Sequence, residues 1–447
     1  MNNIISGIEW FVDLGPTVVL PVLIFIFGLV LKTKPGKAFE AALMVGIGFI
    51  GLNLVIGLLT DTLGTAAQQM VENYGLNLSV IDVGWPAAAA ISYGTVLGTL
   101  AIPIGIGINV VLLITGLTKT LNVDIWNLWH AAFVASLVYA ISNDFYLSIL
   151  TTIVYILLIQ LFGDMLAPTI EKFYGFPNLT FPHGTAIPGY IVALPFEWLF
   201  NRIPGLKDLE FDPDTIQDKF GILGKSSVMG LIIGIGIGIL AGYNFQGIAE
   251  LAVSTAAVMV LLPKMVSVLM EGLTPISEAA NDLVKSKFPD REVYIGMDAA
   301  LSVGHSSVLS SSLLLVPITI LLAVILPGNK TLPFGDLATI PFVVCLMAPV
   351  FNGNIVKTVI SGTFYMISVL YITSWVAPLV TTVAQTANFD LGGHSQITAL
   401  AEGGLWTTGL FVSVAQWLGW IGISSIGIIL LIGLYYVNKI RGKSEVE

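Results

Sequence analysis

An aspartate and three histidines stand inside apolar runs of this chain, beside residues that interrupt helices. Asp298 follows Gly296-Met297 and precedes Ala299-Ala300. A carboxylate there can accept two hydroxyl hydrogen bonds from a polyol, or it can cap the helix that follows, because Asp is a favoured N-cap. His183 lies in Phe181-Pro182-His183-Gly184-Thr185, and His130 ends Asp124-Ile125-Trp126-Asn127-Leu128-Trp129-His130. A neutral imidazole offers one donor and one acceptor, which suits a sugar hydroxyl; the competing reading is a histidine bonded within the core or at an interface. The loop bearing Asp298 runs on to His305-Ser306-Ser307 and Ser310-Ser311-Ser312. His305 joins the candidate substrate-binding set, while the serine hydroxyls are expected to bond back to helix carbonyls. Trp85, in Asp82-Val83-Gly84-Trp85-Pro86, can stack on the C–H face of a sugar. Trp126 and Trp129 are expected in an aromatic belt, and Asp336 in a tight loop rather than on substrate.

These groups need elements to position them, and the composition says what those elements face. Of 447 residues 55% are hydrophobic and only 10% charged, against roughly 25% charged in an ordinary soluble domain. So few charges cannot cover a water-facing surface, and most of the exterior must face lipid. The net charge of −10 argues against nucleic acid as a partner. Cys345 is the lone cysteine, in an apolar run, which excludes an internal disulfide framework and a CxxC metal site. No metal and no cofactor are expected, and no cleavable signal is evident.

A spanning helix takes about 20 mainly apolar residues. The sequence predicts an all-α polytopic membrane protein with about eleven transmembrane helices. Candidates lie near 16–31, 40–59, 96–118, 125–141, 146–166, 226–242, 247–269, 306–326, 337–351, 355–377 and within 405–437. The stretch 187–200 is short and reads as a re-entrant or half helix. Lys32, Lys34 and Lys37 follow the first helix, and Lys439, Arg441 and Lys443 follow the last. Such clusters are expected on the cytoplasmic side, leaving the N-terminus, with Glu9 and Asp13, outside and the C-terminus inside.

The halves resemble each other. Val83-Gly84-Trp85-Pro86-Ala87-Ala88 aligns with Ile295-Gly296-Met297-Asp298-Ala299-Ala300, a shift of 295 − 83 = 212 residues. Thr120-Leu121 with Asp124 aligns with Thr331-Leu332 and Asp336, and His183 falls within a residue of His394. An amphipathic stretch precedes each site loop. The copy at 61–82 carries acids and no base, whereas the copy near 273–291 carries Lys285, Lys287 and Arg291. Opposite charge bias predicts an inverted-topology repeat, with site residues at broken helices. The expected organisation is 1–200 as the first repeat, 201–225 as a cytoplasmic linker, 226–404 as the second repeat, and 405–447 as a C-terminal helix and tail.

Six dispersed motifs together resemble one family. They are Asp13-Leu14-Gly15-Pro16-Thr17, Asp82-Val83-Gly84-Trp85-Pro86, Asn122-Val123-Asp124-Ile125-Trp126-Asn127, Pro182-His183-Gly184-Thr185, Gly272-Leu273-Thr274-Pro275-Ile276 and Leu332-Pro333-Phe334-Gly335-Asp336-Leu337-Ala338-Thr339. The chain is similar to the galactitol-type IIC permeases of bacterial phosphotransferase systems, within the ascorbate–galactitol superfamily. The resemblance runs from residue 10 to about 375 and fades over the final stretch. It implies an eleven-helix homodimer in the bacterial cell membrane, with a core and a V-shaped scaffold domain and an elevator-like movement. It implies sugar contacts at Trp85, His130, His183 with Gly184, and Asp298. Where relatives carry Asp-Pro in the second site loop, this chain reads Asp298-Ala299. The resemblance also implies that phosphoryl transfer resides on separate IIA and IIB proteins; Cys345, in its apolar run, is no place for a phosphocysteine. The substrate it implies is galactitol or a related polyol or hexose.

An ion-coupled secondary transporter of a small polar solute would show the same repeats and buried carboxylates. A hydrolase built on His305-Ser306-Ser307 with Asp298 is disfavoured, because adjacent residues on a helix do not face each other.

Overall fold

The computed structural model describes residues 16–59, scattered positions from 61 to 73, 78–207 except 123, 211, 226–287, 293–387 except 334, 389, 391 and 395–441. Glu9 and Asp13, most of the first amphipathic stretch, most of the 201–225 linker, Arg291, His394 and Lys443 lie outside the described residues.

The chain is mostly helical. Its first half contains α1 (Pro16–Val30), α2 (Pro35–Leu59), β1 (Val80–Asp82), α3 (Trp85–Tyr93), α4 (Val96–Thr115), β2 (Thr120–Asn122), α5 (Trp129–Ser142), α6 (Phe145–Tyr174), β3 (Leu179–Thr180) and α7 (Ile187–Phe200). The second half contains α8 (Ser226–Leu240), α9 (Phe245–Lys287), β4 (Tyr294–Gly296), α10 (Ala300–Val303), α11 (Ser306–Ile325), β5 (Thr331–Leu332), α12 (Ile340–Val344), α13 (Ile355–Thr386), β6 (Gln396–Thr398), α14 (Leu400–Gly403) and α15 (Trp406–Tyr435). Among the described residues five helices are long and apolar enough to cross a membrane: α4, α6, α11, α13 and α15 with its extension to Lys439. α15 leaves Trp417, Ile421, Ile428 and Ile432 exposed along its length, as a helix bordering lipid does.

The candidate span at 337–351 is not one helix. Leu337–Thr339 and Ala348–Phe351 are 3₁₀ turns around the five-residue α12. Pro341 and Pro349 lie in this run, and each removes a backbone donor that a continuous helix needs. The candidate span at 247–269 and the second amphipathic stretch instead merge into the 43-residue α9. α15 is continuous in sequence but bends at Gly419, whose φ is 51° and ψ −132°.

Two small parallel sheets cross-connect the halves. One has the order β5-β1-β6 and the other β2-β4-β3. In the first, Val80 lies opposite Thr331 and Gln396, and Ile81 opposite Leu332 and Ile397. In the second, Ile295 lies opposite Leu121 and Leu179, and Gly296 opposite Asn122 and Thr180. Each central strand therefore comes from one half of the chain and both its flanks from the other. The central strands are those that lead into Gly84-Trp85 and Met297-Asp298, the two loops singled out in the sequence.

Aspartates complete the first of these joints. Asp82 Oδ1 accepts the N–H groups of Gly84 at 3.2 Å and Leu400 at 3.1 Å, and its Oδ2 accepts the N–H of Asp336 at 2.8 Å. Asp336 Oδ1 accepts the N–H of Trp85 at 2.7 Å and its Oδ2 that of Ala401 at 2.8 Å. All four carboxylate oxygens thus hold backbone donors, and three distant segments meet there. Gly84 turns the chain with a φ of 82°. Gly335 lies so close to it that an added Cβ would stand 2.5 Å from the Gly84 nitrogen, so both positions need the absence of a side chain.

A second carboxylate, Asp164 on α6, holds the approach to β2. Its Oδ1 accepts from the Lys119 N–H and the Thr120 hydroxyl, and its Oδ2 from the Thr118 hydroxyl and Asn438 Nδ2, all within 2.7–2.9 Å. On α13, Ser374 Oγ accepts the Lys330 N–H at 3.0 Å and lies 2.9 Å from Thr331 Oγ1, at the approach to β5.

Candidate functional site

Asp124 and Asp336 occupy matching places before their 3₁₀ turns. Asp336 holds the backbone of Trp85. Asp124 accepts the Trp126 N–H at 3.0 Å and is a hydrogen-bond neighbour of the Asp298 backbone. Each loop that carries a candidate side chain is thereby held by an aspartate from the other half. Asp336 acts as the loop-holding residue the sequence suggested.

Asp298 is only partly covered, with 16% of its side chain exposed. Its Oδ1 accepts the N–H of Ala300 at 2.8 Å, where α10 begins, and stands 3.5 Å from His183 Nε2. The capping and the site-facing readings of this residue therefore coexist. His183 stacks on Phe342 of α12 with ring centroids 5.7 Å apart and meets His130 edge to face at 4.6 Å. It gets there because β3 pairs with β4, which brings the Pro182-His183-Gly184 turn beside the Asp298 loop.

His130, on the first turn of α5, is fully buried, and its Nδ1 lies 2.5 Å from Oε2 of Glu402 on α14. Glu402 Oε1 is 3.5 Å from the hydroxyl of Tyr155 on α6. Gly184 closes over this cluster: an added Cβ would stand 2.5 Å from both His130 Cγ and the Tyr155 hydroxyl. Gly184 thus belongs to the group by packing and offers no side chain to a ligand. His130 Nε2 and His183 Nδ1 are buried and have no hydrogen-bond partner among the described residues. Unmatched buried nitrogens cost roughly 1–3 kcal/mol each, so two of them in touching rings mark a place where a ligand's hydroxyls would be welcome.

Trp85 is half-buried and meets Trp126 edge to face at 6.3 Å. Trp126 and Trp129 are not in an aromatic belt. Both are buried in the protein, Trp129 against His130 and Phe133, and Trp126 tied through its backbone to Asp124. Their position beside the site outweighs the general preference of tryptophan for the interface.

His305 stands apart from the two paired imidazoles in its contacts. Its Nδ1 accepts the Ser307 N–H at 3.3 Å, as the N-cap of α11, and its ring packs on Phe173 and Tyr174. Of the serine run, Ser312 bonds back to the carbonyl of Val308, as expected, whereas the buried Ser311 hydroxyl has no hydrogen-bond partner among the described residues; Ser302, ahead of the run, bonds the Ala299 carbonyl. Cys345 is buried, and its carbonyl receives the Tyr174 hydroxyl.

Glu402 is the residue that sequence reasoning missed. Its signal was present: it is the sole Asp, Glu, Lys or Arg between Asp390 and Lys439, and a lone acid in so long an apolar stretch marks a site by default.

Residues 10–393 match the family described as the PTS system sugar-specific permease component, EIIC-GAT. The chain is 40% identical over 435 residues to the galactitol-specific EIIC component of the phosphotransferase system of Escherichia coli K12, covering 97% of this chain and 96% of that protein. It is 36% identical over 429 residues to a putative permease IIC component of the same organism, covering 96% and 98% of the two chains.

Substitution of Gly184 by Ala tests the packing of this cluster. The new methyl group has no room between His130 and Tyr155, and overpacking of this kind costs about 1–3 kcal/mol. The expected outcome is a lower thermal unfolding midpoint for purified Gly184→Ala than for the parent.

Proposed function

Because this chain belongs to the family of sugar-specific permease components of the phosphotransferase system, we propose that it carries a galactitol-like polyol across a bacterial cell membrane to a separate IIB protein. That it is a multi-pass membrane protein follows from the family and the apolar helices. The polyol and the partners are drawn from the 40% identical relative, whose name states galactitol. IIB, itself charged by IIA, phosphorylates the sugar as it is delivered.

The observation that carries the binding reading is the pair of unpartnered nitrogens on His130 and His183, next to the partly open carboxylate of Asp298. A polyol can match such a set, because each hydroxyl both donates and accepts. Asp298 can take hydroxyl hydrogens, the imidazole nitrogens can bond neighbouring hydroxyls, and Trp85 offers an aromatic face at the rim. His305, as the cap of α11, supports the loop rather than the ligand in this reading.

The sheet topology supports two inverted repeats, since β1, β2 and β3 follow one another as β4, β5 and β6 do, and each triplet supplies the centre of one sheet and the flanks of the other. The interlocked sheets with α4–α7 and α10–α14 would form the substrate-carrying body. α1, α2, α8 and α9, which pack on one another, would form the scaffold against which it shifts in an elevator-like step. A homodimer with its C-terminus in the cytoplasm completes the arrangement.

The coupling is tested in cells that express this chain with and without its IIA and IIB partners. Sugar phosphate should accumulate only with them. Accumulation of free sugar against a gradient in proteoliposomes, driven by protons or sodium alone, would instead favour an ion-coupled transporter.

Asp298 provides the sharper test of the site. Asp298→Asn keeps an acceptor for the Ala300 N–H but removes the charge, and charge-assisted hydrogen bonds contribute roughly 1.5–3 kcal/mol each. Galactitol affinity should fall about ten- to a hundredfold, with thermal stability in the absence of sugar nearly unchanged. Normal binding by the Asn variant, or an Ala variant that chiefly fails to fold, would make Asp298 structural.

A further inference from the structure

The polyol site just described has a neighbour that none of its assigned contacts explains. Glu402 is fully buried, lies 2.5 Å from His130 Nδ1, and among the described residues has one further side-chain hydrogen-bond partner, the Tyr155 hydroxyl at 3.5 Å. Its placement is fixed from several sides. The N–H groups of Leu400 and Ala401, immediately before it, are held by Asp82 and Asp336, and its own carbonyl accepts the Thr408 hydroxyl at 2.6 Å. The His130 ring is equally constrained, between Trp129 at 4.5 Å, His183 at 4.6 Å and Gly184.

We infer that Glu402 is a positioning residue for the polyol site: it shares one proton with His130, and this sharing fixes His130 Nε2 as a hydrogen-bond donor toward the substrate. The inference rests on the reading of His130 as a substrate contact.

The reasoning is electrostatic. A buried carboxylate facing a neutral imidazole leaves one net negative charge with no other ion-pair partner for Glu402 among the described residues, an arrangement that burial strongly disfavours. One added proton removes that charge. The proton can sit on the carboxyl, facing a neutral ring, or on the ring, facing a carboxylate. In both arrangements it occupies the 2.5 Å contact between Nδ1 and Oε2. In both, the remaining ring hydrogen is on Nε2. That N–H is buried and has no acceptor among the described residues, which leaves it free to donate to a substrate oxygen. His130 then complements Asp298: the first donates to a hydroxyl oxygen, the second accepts a hydroxyl hydrogen. Tyr155 and Gly184 keep the ring from turning its other edge toward the ligand.

The test uses the purified full-length chain with ¹⁵N-labelled histidine, and His130→Asn to assign the His130 signals among the four histidines. Without sugar, the wild-type spectrum should show His130 Nε2 protonated and Nδ1 in a short, shared hydrogen bond. Glu402→Gln should keep the Nε2 hydrogen, because an amide N–H replaces the shared proton, and should move Nδ1 to the signal of a plain acceptor. A bare Nε2 in the wild-type protein would overturn the proposal.

Galactitol binding supplies the second readout. Glu402→Leu should weaken affinity about tenfold, the order expected for one lost hydrogen-bonded alignment. Glu402→Gln should restore most of that affinity. In a His130→Asn background, Glu402→Leu should cost nothing further, since the two residues act through one contact. An undiminished cost in that background would show that Glu402 only supports the fold and would overturn the proposal. If Glu402→Leu does not fold, the spectrum and affinity of Glu402→Gln decide alone. Wild-type binding by His130→Asn would overturn the site reading itself, whereas the histidine spectrum, taken without sugar, judges the proton-sharing pair separately.

Discussion

Backbone N–H and C=O groups that leave a helix inside a membrane protein find no water to bond, so each must meet a partner within the protein. This chain leaves the helical path at Asp82–Trp85 and at Tyr294–Asp298, and much of its architecture answers the need so created. Parallel pairing with β5 and β6 satisfies the first break, and pairing with β2 and β3 the second. Where the strands end, side-chain carboxylates take over. Asp82 and Asp336 between them hold the backbone donors of Gly84, Trp85, Asp336, Leu400 and Ala401. Because the partners come from the opposite half, satisfying the backbone also locks the halves together.

That requirement explains why the candidate side chains converge. The strand pairing that quiets the Asp298 loop also delivers His183, and the turn that carries His183 closes over His130 through Gly184. The aspartates that quiet the Trp85 loop also anchor the short helix that carries Glu402 to His130. The site is thus a by-product of backbone satisfaction at two breaks. The polar atoms left unmatched are the ones the proposed ligand would use. Before β5, Ser374 of α13 accepts the Lys330 N–H as Asp164 of α6 accepts that of Lys119 before β2, so a similar geometry is reached with different chemistry.

The helices and the breaks were legible in the sequence because both are local signals. Apolar length marks the spans, and Gly and Pro beside isolated acids mark the interruptions. Trp85, His130, His183, Asp298 and His305 stood out as candidates by their neighbours alone; the structure brings His130, His183 and Asp298 together and sets His305 apart as a helix cap. The sheets could not: strands of two or three residues carry no alternating pattern, and their partners lie in the other half of the chain. The span expected at 337–351 failed because apolar composition does not reveal that Pro341 and Pro349 divide it. The tryptophans at 126 and 129 were misplaced for a related reason, since a general interfacial preference yields to specific packing. Glu402 was overlooked although its isolation among apolar residues was visible. It falls beyond the motifs that carry the family resemblance in the sequence, and its meaning appears only when its distance to His130 is known.

The central claim is that a polyol binds where the two interlocked breaks meet. The most direct measurement is a cryo-electron microscopy structure of the purified protein with galactitol. The account predicts the polyol between His130, His183 and Asp298, in contact with His130 Nε2, while the backbone contacts of Asp82 and Asp336 stay as they are. Galactitol bound elsewhere, with both imidazole nitrogens still without partners, would contradict it.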